Sequence, residues 1–241
     1  LLGHGSGGEL THELISNLFV KYFSNEFLDQ QTDSAILPLA GQNISFTTDS
    51  FVVDPIFFPG GDIGKLAVAG TVNDLAVSGA EALYISCSFI IEEGFPLNHL
   101  EKIVKSMREE AHGAGVKIVT GDTKVVDRGK CDKIFINTSG IGKILKEHRN
   151  ISFGKEIVPG DQIIINGSIA DHGMSIMAAR NDLNIQSAIT SDCASLNKLI
   201  GNALRKSNKI RFMRDATRGG LATVLTELSS QKEFGVKIDE S

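Results

Sequence analysis

From Glu9 to about Phe23 the apolar residues Leu10, Leu14, Leu18 and Tyr22, with Ile15 and Phe19 beside them, recur every three or four positions. That period predicts an amphipathic helix. The preceding His4-Gly5-Ser6-Gly7-Gly8 is too rich in glycine to hold a shape of its own and reads as a flexible arm, so residues 1–30 form an arm and a helix. A strand is expected at Ile44 to Thr48, running into Asp49-Ser50. Gly60-Gly61-Asp62 then opens a helix of small residues, Ile63 to about Ser78, whose Ala67, Ala69, Gly70, Ala76 and Gly79 let other backbone come close, which points to burial. Ala82 to Ile91 reads as a strand apolar on both faces, Leu97 to Ala114 as an amphipathic helix, Val116 to Thr120 and Lys133 to Ile144 as strands. A hairpin is expected around Arg128-Gly129-Lys130.

The pattern resets between Asn150 and Asp161, where Pro159-Gly160-Asp161 is a turn signal. Beyond it Gln162 to Asn166 and Ile210 to Met213 read as strands, and His172 to Arg180, Ser195 to Lys206 and Thr217 to Ser230 as helices. The last carries Leu221, Val224, Leu225 and Leu228 on one face. Two domains are expected, 31–150 and 151–241, with an α+β composition of elements.

Composition narrows the class. Of 241 residues, 41% are hydrophobic and 22% charged, which excludes a disordered chain. No apolar run approaches the ~20 residues that a bilayer-spanning helix needs, and Leu1-Leu2-Gly3-His4 lacks the form of a signal peptide, so no membrane is expected and the cytoplasm is the default. The formal charge of −5, with Lys and Arg scattered, gives no footprint for nucleic acid. Cys87, Cys131 and Cys193 form no C-x-x-C pair, so neither a disulfide nor a zinc site is expected. The chain opens without Met and ends on the strand-like Gly235 to Ser241, so a continuation that pairs this strand is expected.

The chemistry lies in acids at the ends of apolar runs. Thr48-Asp49-Ser50, Gly121-Asp122-Thr123 and Arg214-Asp215-Ala216-Thr217 each follow a strand-like run, Asn73-Asp74 lies in the small-residue helix, and Thr32-Asp33-Ser34 precedes a short apolar stretch. Strand ends in α/β sheets are where ligand groups collect. Taken singly, each Asp is better read as a turn former or helix cap. Gathered together they repel unless a cation holds them, and Mg²⁺, which takes one or two carboxylates and completes its shell with water and phosphate oxygens, implies a nucleotide. Thr217-Arg218-Gly219-Gly220-Leu221, between strand and helix, offers backbone N–H groups to a phosphate, although a Gly-Gly pair can equally serve a tight turn. Lys124, two residues after Asp122, can reach a phosphate or be a surface lysine.

Together these motifs resemble a known family. His4-Gly5-Ser6-Gly7-Gly8, Thr48-Asp49-Ser50-Phe51, Val72-Asn73-Asp74-Leu75-Ala76 with Ser78-Gly79-Ala80, Gly121-Asp122-Thr123-Lys124-Val125-Val126 and Arg214-Asp215-Ala216-Thr217-Arg218-Gly219-Gly220-Leu221 are similar, in order, to those of the HypE hydrogenase maturation factors. These belong to the PurM-like (AIR synthase-related) ATP-binding superfamily. The resemblance implies a two-domain α+β fold whose first domain joins its copy in a homodimeric β-barrel. It implies ATP and Mg²⁺ as cofactors. Asp49, Asp74, Asp122 and Asp215 would hold the metal. Asp33, Asn73, Thr123, Gly219 and Gly220 would complete the nucleotide site, and Lys124, with Asp74 and Asp122, would act on the reacting group. Where relatives often carry two adjacent acids, this chain has Asp33-Ser34. The implied reaction is ATP-dependent dehydration of a carbamoylated C-terminal cysteine to a thiocyanate, the source of cyanide for [NiFe] hydrogenase. HypF would supply the carbamoyl group and a HypC–HypD complex would take the cyanide. No cysteine follows Cys193, so the acceptor tail is expected outside this sequence. A small-molecule kinase or ligase of the same superfamily and a non-catalytic maturation scaffold remain as alternatives.

Overall fold

The computed structural model describes residues 8–39, 41–144, 146–180, 188–230 and 235–238. The glycine-rich arm, apart from Gly8, lies outside them.

The first half is organised on one sheet. Its strands are β1 (Ala35–Leu39), β2 (Gln42–Phe51), β5 (Ala80–Glu92), β6 (Lys117–Val126) and β7 (Ile134–Ile144), in the order β1-β2-β7-β5-β6. Neighbours run antiparallel except β5 and β6, which are parallel. β3 (Phe57–Phe58) and β4 (Gly61–Asp62) form a separate small ladder. The expected hairpin at Arg128–Lys130 is not one. The chain does turn there, but β6 and β7 lie on opposite sides of β5, because the parallel β5–β6 pair places β6 at the sheet edge.

Helix α3 (Ile63–Val77) covers one face of the sheet and is buried nearly all round, as its small residues foretell. Asp62 caps it, its Oδ1 accepting from the backbone N–H groups of Gly64 (2.7 Å) and Lys65 (3.1 Å). The absence of side chains sets the packing distance. A Cβ on Gly64 would lie 2.6 Å from the Ile103 carbonyl oxygen of α4 (Leu97–Ala114), and one on Gly140 of β7 would lie 2.7 Å from Thr71. Ile63, Val68, Val72 and Leu75 of α3 meet Ile85, Ile103, Ile134 and Ile136 in a single core. On the other face of the sheet Phe46, Tyr84, Ile90 and Ile141 are exposed, so β5 is half covered, where its sequence predicted two apolar contacts.

The N-terminal helix runs as α1 (Glu9–Leu14), a π-helical stretch (Ile15–Val20) and α2 (Lys21–Phe23). The second half holds α5 (Asp171–Ala179), α6 (Asn197–Lys206) and α7 (Gly220–Ser230). The strands expected at Gln162–Asn166 and Ile210–Met213 are not formed, and Gly235–Ile238 is likewise outside any strand. Alternation fixes where side chains point, but a strand exists only as half of a hydrogen-bonded ladder, and no described segment pairs with these. Ile164 is accordingly 89% exposed. This half docks on α3 and α4: Ile200 packs on Ala76 and Val77, the Ser195 N–H donates to Glu110 Oε1 (2.8 Å), and Asn197 donates to the Ala114 carbonyl (2.8 Å). Among the described residues no helix is long and apolar enough to cross a membrane, and the three cysteines are free thiols.

Candidate functional site

Odd-numbered residues of β2 face α3, and this parity puts Asp49 and Thr47 beneath the helix. Asp74, three turns into α3, points back at them. The Thr47 hydroxyl lies 2.8 Å from Asp74 Oδ2 and 3.0 Å from the Asp33 carbonyl oxygen. Asp49 Oδ2 comes close to α3 where Gly70 has no side chain, since a Cβ there would lie 3.5 Å from it. Asp33 is held through its neighbour. The buried Ser34 hydroxyl bonds to those of Ser45 and Ser78, and Ser78 in turn donates to the Asp74 carbonyl (2.8 Å). Ser34 is thus a polar pin between β2 and the end of α3.

The second half contributes Asp215 from the loop before α7. Arg214 beside it places Nε 3.3 Å from Asp33 Oδ2 and Nη1 3.1 Å from Glu227 Oε2, and Glu227 Oε1 is 3.1 Å from His12 Nε2. Gly219 and Gly220 both take positive φ (72° and 58°), a conformation that only glycine adopts freely, and α7 starts there. A Cβ on Gly219 would collide with Thr223.

The carboxylates of Asp33, Asp49, Asp74 and Asp215 lie near enough to feel one another's charge. Burial pushes Asp33 up to about 7, against the pull of Arg214 and with the charges of Asp215, Glu227 and Asp49 adding to the rise. Burial, then the charges of Asp215 and Asp49, drives Asp74 far above the carboxylate range, and the Thr47 hydrogen bond offsets only part of this. Asp215 is raised by burial and by Asp49, and a side-chain hydrogen bond with Asp74 draws it back. Asp49 is raised by burial while Arg218 draws it down. Without a counter-cation these groups share protons to limit their repulsion.

The donor set fits a hard cation. Its donors are carboxylate oxygens with a threonine hydroxyl beside them, and no sulfur or imidazole takes part, which suits Mg²⁺ and not zinc. Among the described residues no three such side chains yet converge tightly enough to ligate an ion alone. A divalent ion that also takes phosphate oxygens needs only one or two of them.

Three expected site residues lie elsewhere. Asp122, Thr123 and Lys124 sit within the edge strand β6 and not at a strand end. The row Asp49, Thr138, Cys87, Gly121 crosses the sheet, so Asp122 is three strands from Asp49, about 14 Å at ~4.8 Å per strand. Asp122 pairs in register with Ser88 on the outer face, while Asp49 is on the helix face. Asp122 Oδ2 and Lys124 Nζ are 3.1 Å apart and exposed, and that ammonium holds the Asp122 carboxyl below its usual range. Asn73 also departs from expectation. Its Nδ2 donates to the Ala194 carbonyl (3.0 Å) and its Oδ1 accepts from the Leu196 N–H (2.7 Å), so both ends of the amide clamp the second half to α3. Thr47, Arg214, Arg218 and Glu227 are the neighbours that sequence reading did not single out. The charged residues flanking Asp215 were the available signal for two of them.

Comparison with known proteins shows the family. The N-terminal domain of AIR synthase related proteins matches residues 31–144, and their C-terminal domain matches residues 158–241. The carbamoyl dehydratase HypE of Escherichia coli (strain K12) is 47% identical over 246 residues, covering 100% of this chain and 72% of its own length. That of Rhodobacter capsulatus is 48% identical over 242 residues, covering 100% and 71%. Among solved structures, a HypE–HypF complex superposes with a TM-score of 0.84 at 53% identity, covering 90% of this chain and 70% of the other. HypE in complex with ATP gives 0.75 at 52%, covering 96% and 68%. ThiL complexed with AMPPCP and TMP, at 14% identity and a TM-score of 0.63 over 79% of this chain and 63% of its own, shares the fold. With both AIR synthase related domains matched and almost half its residues identical to those of HypE proteins along its whole length, the chain belongs to the HypE family.

Proposed function

We propose that this chain is the ATP-binding core of a carbamoyl dehydratase that serves hydrogenase maturation. The relatives bear that name, and one solved relative holds ATP. The observation that carries the reading is the convergence of Asp33, Asp49, Asp74 and Asp215 from both matched domains.

In this reading the carboxylates would hold Mg²⁺, which would supply charge neutralisation for the phosphoryl group. Asp49, Asp74 and Asp215 are the ligand candidates. The positive end of α7, reached through the Gly219-Gly220 turn, would face phosphate oxygens. The substrate is a cysteine-borne thiocarboxamide. Its amide oxygen accepts the γ-phosphoryl group of ATP and then leaves as phosphate, and the amide nitrogen gives up its two protons, so that a thiocyanate and ADP remain. Such chemistry asks the protein for positioning and charge neutralisation. The carbamoyl group comes from HypF, a partner that the solved complex of a relative supports. A HypC–HypD complex is the proposed acceptor of the cyanide, and the cytoplasm the proposed compartment.

The proposed assembly is a homodimer through the exposed sheet face that carries Phe46, Tyr84, Ile90 and Ile141. It gives Asp122, Thr123 and Lys124 a role that one chain denies them, since β6 can then present them to the partner's nucleotide site.

The test is Asp74→Asn. Calorimetric titration with ATP should show Mg²⁺-dependent binding in the unaltered chain and none in the variant, with the circular dichroism of both alike. Equal affinity in the two would refute the site.

A further inference from the structure

From Asp33, at the rim of the acid cluster, a chain of side chains that the reaction above does not use runs through Arg214 and Glu227 to His12 in the N-terminal helix. We propose that Arg214 is a positioning residue, whose guanidinium bridges Asp33 and Glu227 and so seats the loop carrying Asp215, Gly219 and Gly220 against the first domain. The proposal rests on the functional reading of that loop.

Three features carry it. Arg214 bridges the halves, with Nε 3.3 Å from Asp33 Oδ2 and Nη1 3.1 Å from Glu227 Oε2, beside the Glu227–His12 contact. The contacts are sheltered, with Arg214 and Asp33 side chains 17% and 12% exposed, so the attraction is screened far less than at a surface. The guanidinium is also fixed from a second side, its central carbon lying 5.8 Å from the centre of the Phe212 ring. A planar fork can hold two carboxylates in different directions at once, whereas a lysine ammonium is a single point of charge on a flexible stem.

Asp33 Oδ2 and Arg214 Nε are both buried and without a hydrogen bond, so charge alone holds this pair. Such a contact leaves the Asp33 carboxylate adjustable. Glu227, anchored in α7, supplies the firmer end of the bridge, and the direct neighbour of Arg214 in the chain is Asp215. Movement of Arg214 therefore moves Asp215.

The experiment compares the unaltered chain with Arg214→Gln, Arg214→Lys and Glu227→Gln. Amide hydrogen exchange over residues 215–223 is measured first, without nucleotide, because the Gly220 and Thr223 N–H groups are bonded to the Thr217 and Gly219 carbonyls and report whether the turn is closed. Exchange there should quicken at least tenfold in Arg214→Gln and rise also in Arg214→Lys. Protection equal to that of the unaltered chain overturns the proposal. Should Arg214→Gln not fold, Glu227→Gln carries the same comparison, with the same overturning result. The second readout is Mg²⁺–ATP affinity in these single variants, in Asp33→Asn, and in Asp33→Asn with Arg214→Gln. If Arg214 acts through Asp33, the double variant binds no more weakly than Arg214→Gln alone, whereas additive losses overturn that coupling. An unaltered chain that binds no Mg²⁺–ATP refutes the functional reading, and the nucleotide-free exchange still decides the role of Arg214.

Discussion

Asp33 and Asp74 are acids whose folded surroundings favour the proton, and this has a definite sign. A carboxyl whose folded pKa is raised binds its proton more tightly folded than unfolded, so its contribution to stability is present below the unfolded value of 3.8 and is lost as pH rises through the folded value, about 7 for Asp33. The melting temperature of the ion-free protein should therefore fall between about pH 4 and pH 7, and Mg²⁺ with ATP should restore it. Scanning calorimetry across that range checks this, and a rising profile would contradict it. By the same reasoning Asp74→Asn should melt higher than the unaltered ion-free chain at pH 7, while losing the nucleotide. At this scale the thiols also differ from one another. Burial pushes Cys87 and Cys193 up to about 12, and Lys65 near Cys193 does not offset it, so neither offers a reactive thiolate at neutral pH. Cys131, near the surface, is raised as well, by burial and by the charges of Glu92 and Asp132. Incubation of residues 1–241 with HypF, carbamoyl phosphate and ATP should leave the intact mass unchanged, and a carbamoyl adduct would place the acceptor among these three.

Among the elements, α3 shows how much a small-residue pattern can tell. Its burial and its extent were readable from Ala67, Ala69, Gly70 and Ala76, because a helix without a polar face has to be enclosed. Its neighbours were not readable, since contact between Gly64 and the Ile103 carbonyl joins residues far apart in sequence. Gly64→Ala should lower the melting temperature, because overpacking at this helix crossing costs about 1–3 kcal/mol and outweighs the better helix propensity of alanine. An unchanged or higher transition would show that α4 yields. Strands were read well where the sheet completes them and failed where it does not. Ile44 to Thr48 lengthens to Gln42–Phe51 because β1 and β7 flank it, whereas Ile163, Ile164 and Ile165 have the same apolar character and form no ladder. The hairpin failed for a related reason, since turn chemistry at Arg128–Lys130 says that the chain reverses but not which strand lies between its arms.

For the whole molecule, the outer sheet face is the outstanding feature, with Tyr84 46% and Ile90 43% exposed on the interior strand β5. If a second copy covers it, Tyr84→Glu with Ile90→Glu should turn a dimer into a monomer in sedimentation, and should also weaken nucleotide binding if Asp122 and Lys124 act across the interface. A chain that is monomeric before substitution would remove both expectations. The sequence alone determined the kinds of residue available: acids flanked by small and hydroxyl residues, a helix destined for burial, and a family likeness carried by ordered motifs. Only the tertiary structure decided which acids meet. Asp33, Asp49, Asp74 and Asp215 come together because strand parity, helix phase and a loop from the second half all point at one spot. Asp122, equally acidic and equally placed in its motif, is turned to the opposite face three strands away. Local composition sets what a side chain can do, whereas its partners are set by register and packing between segments that the linear order keeps apart.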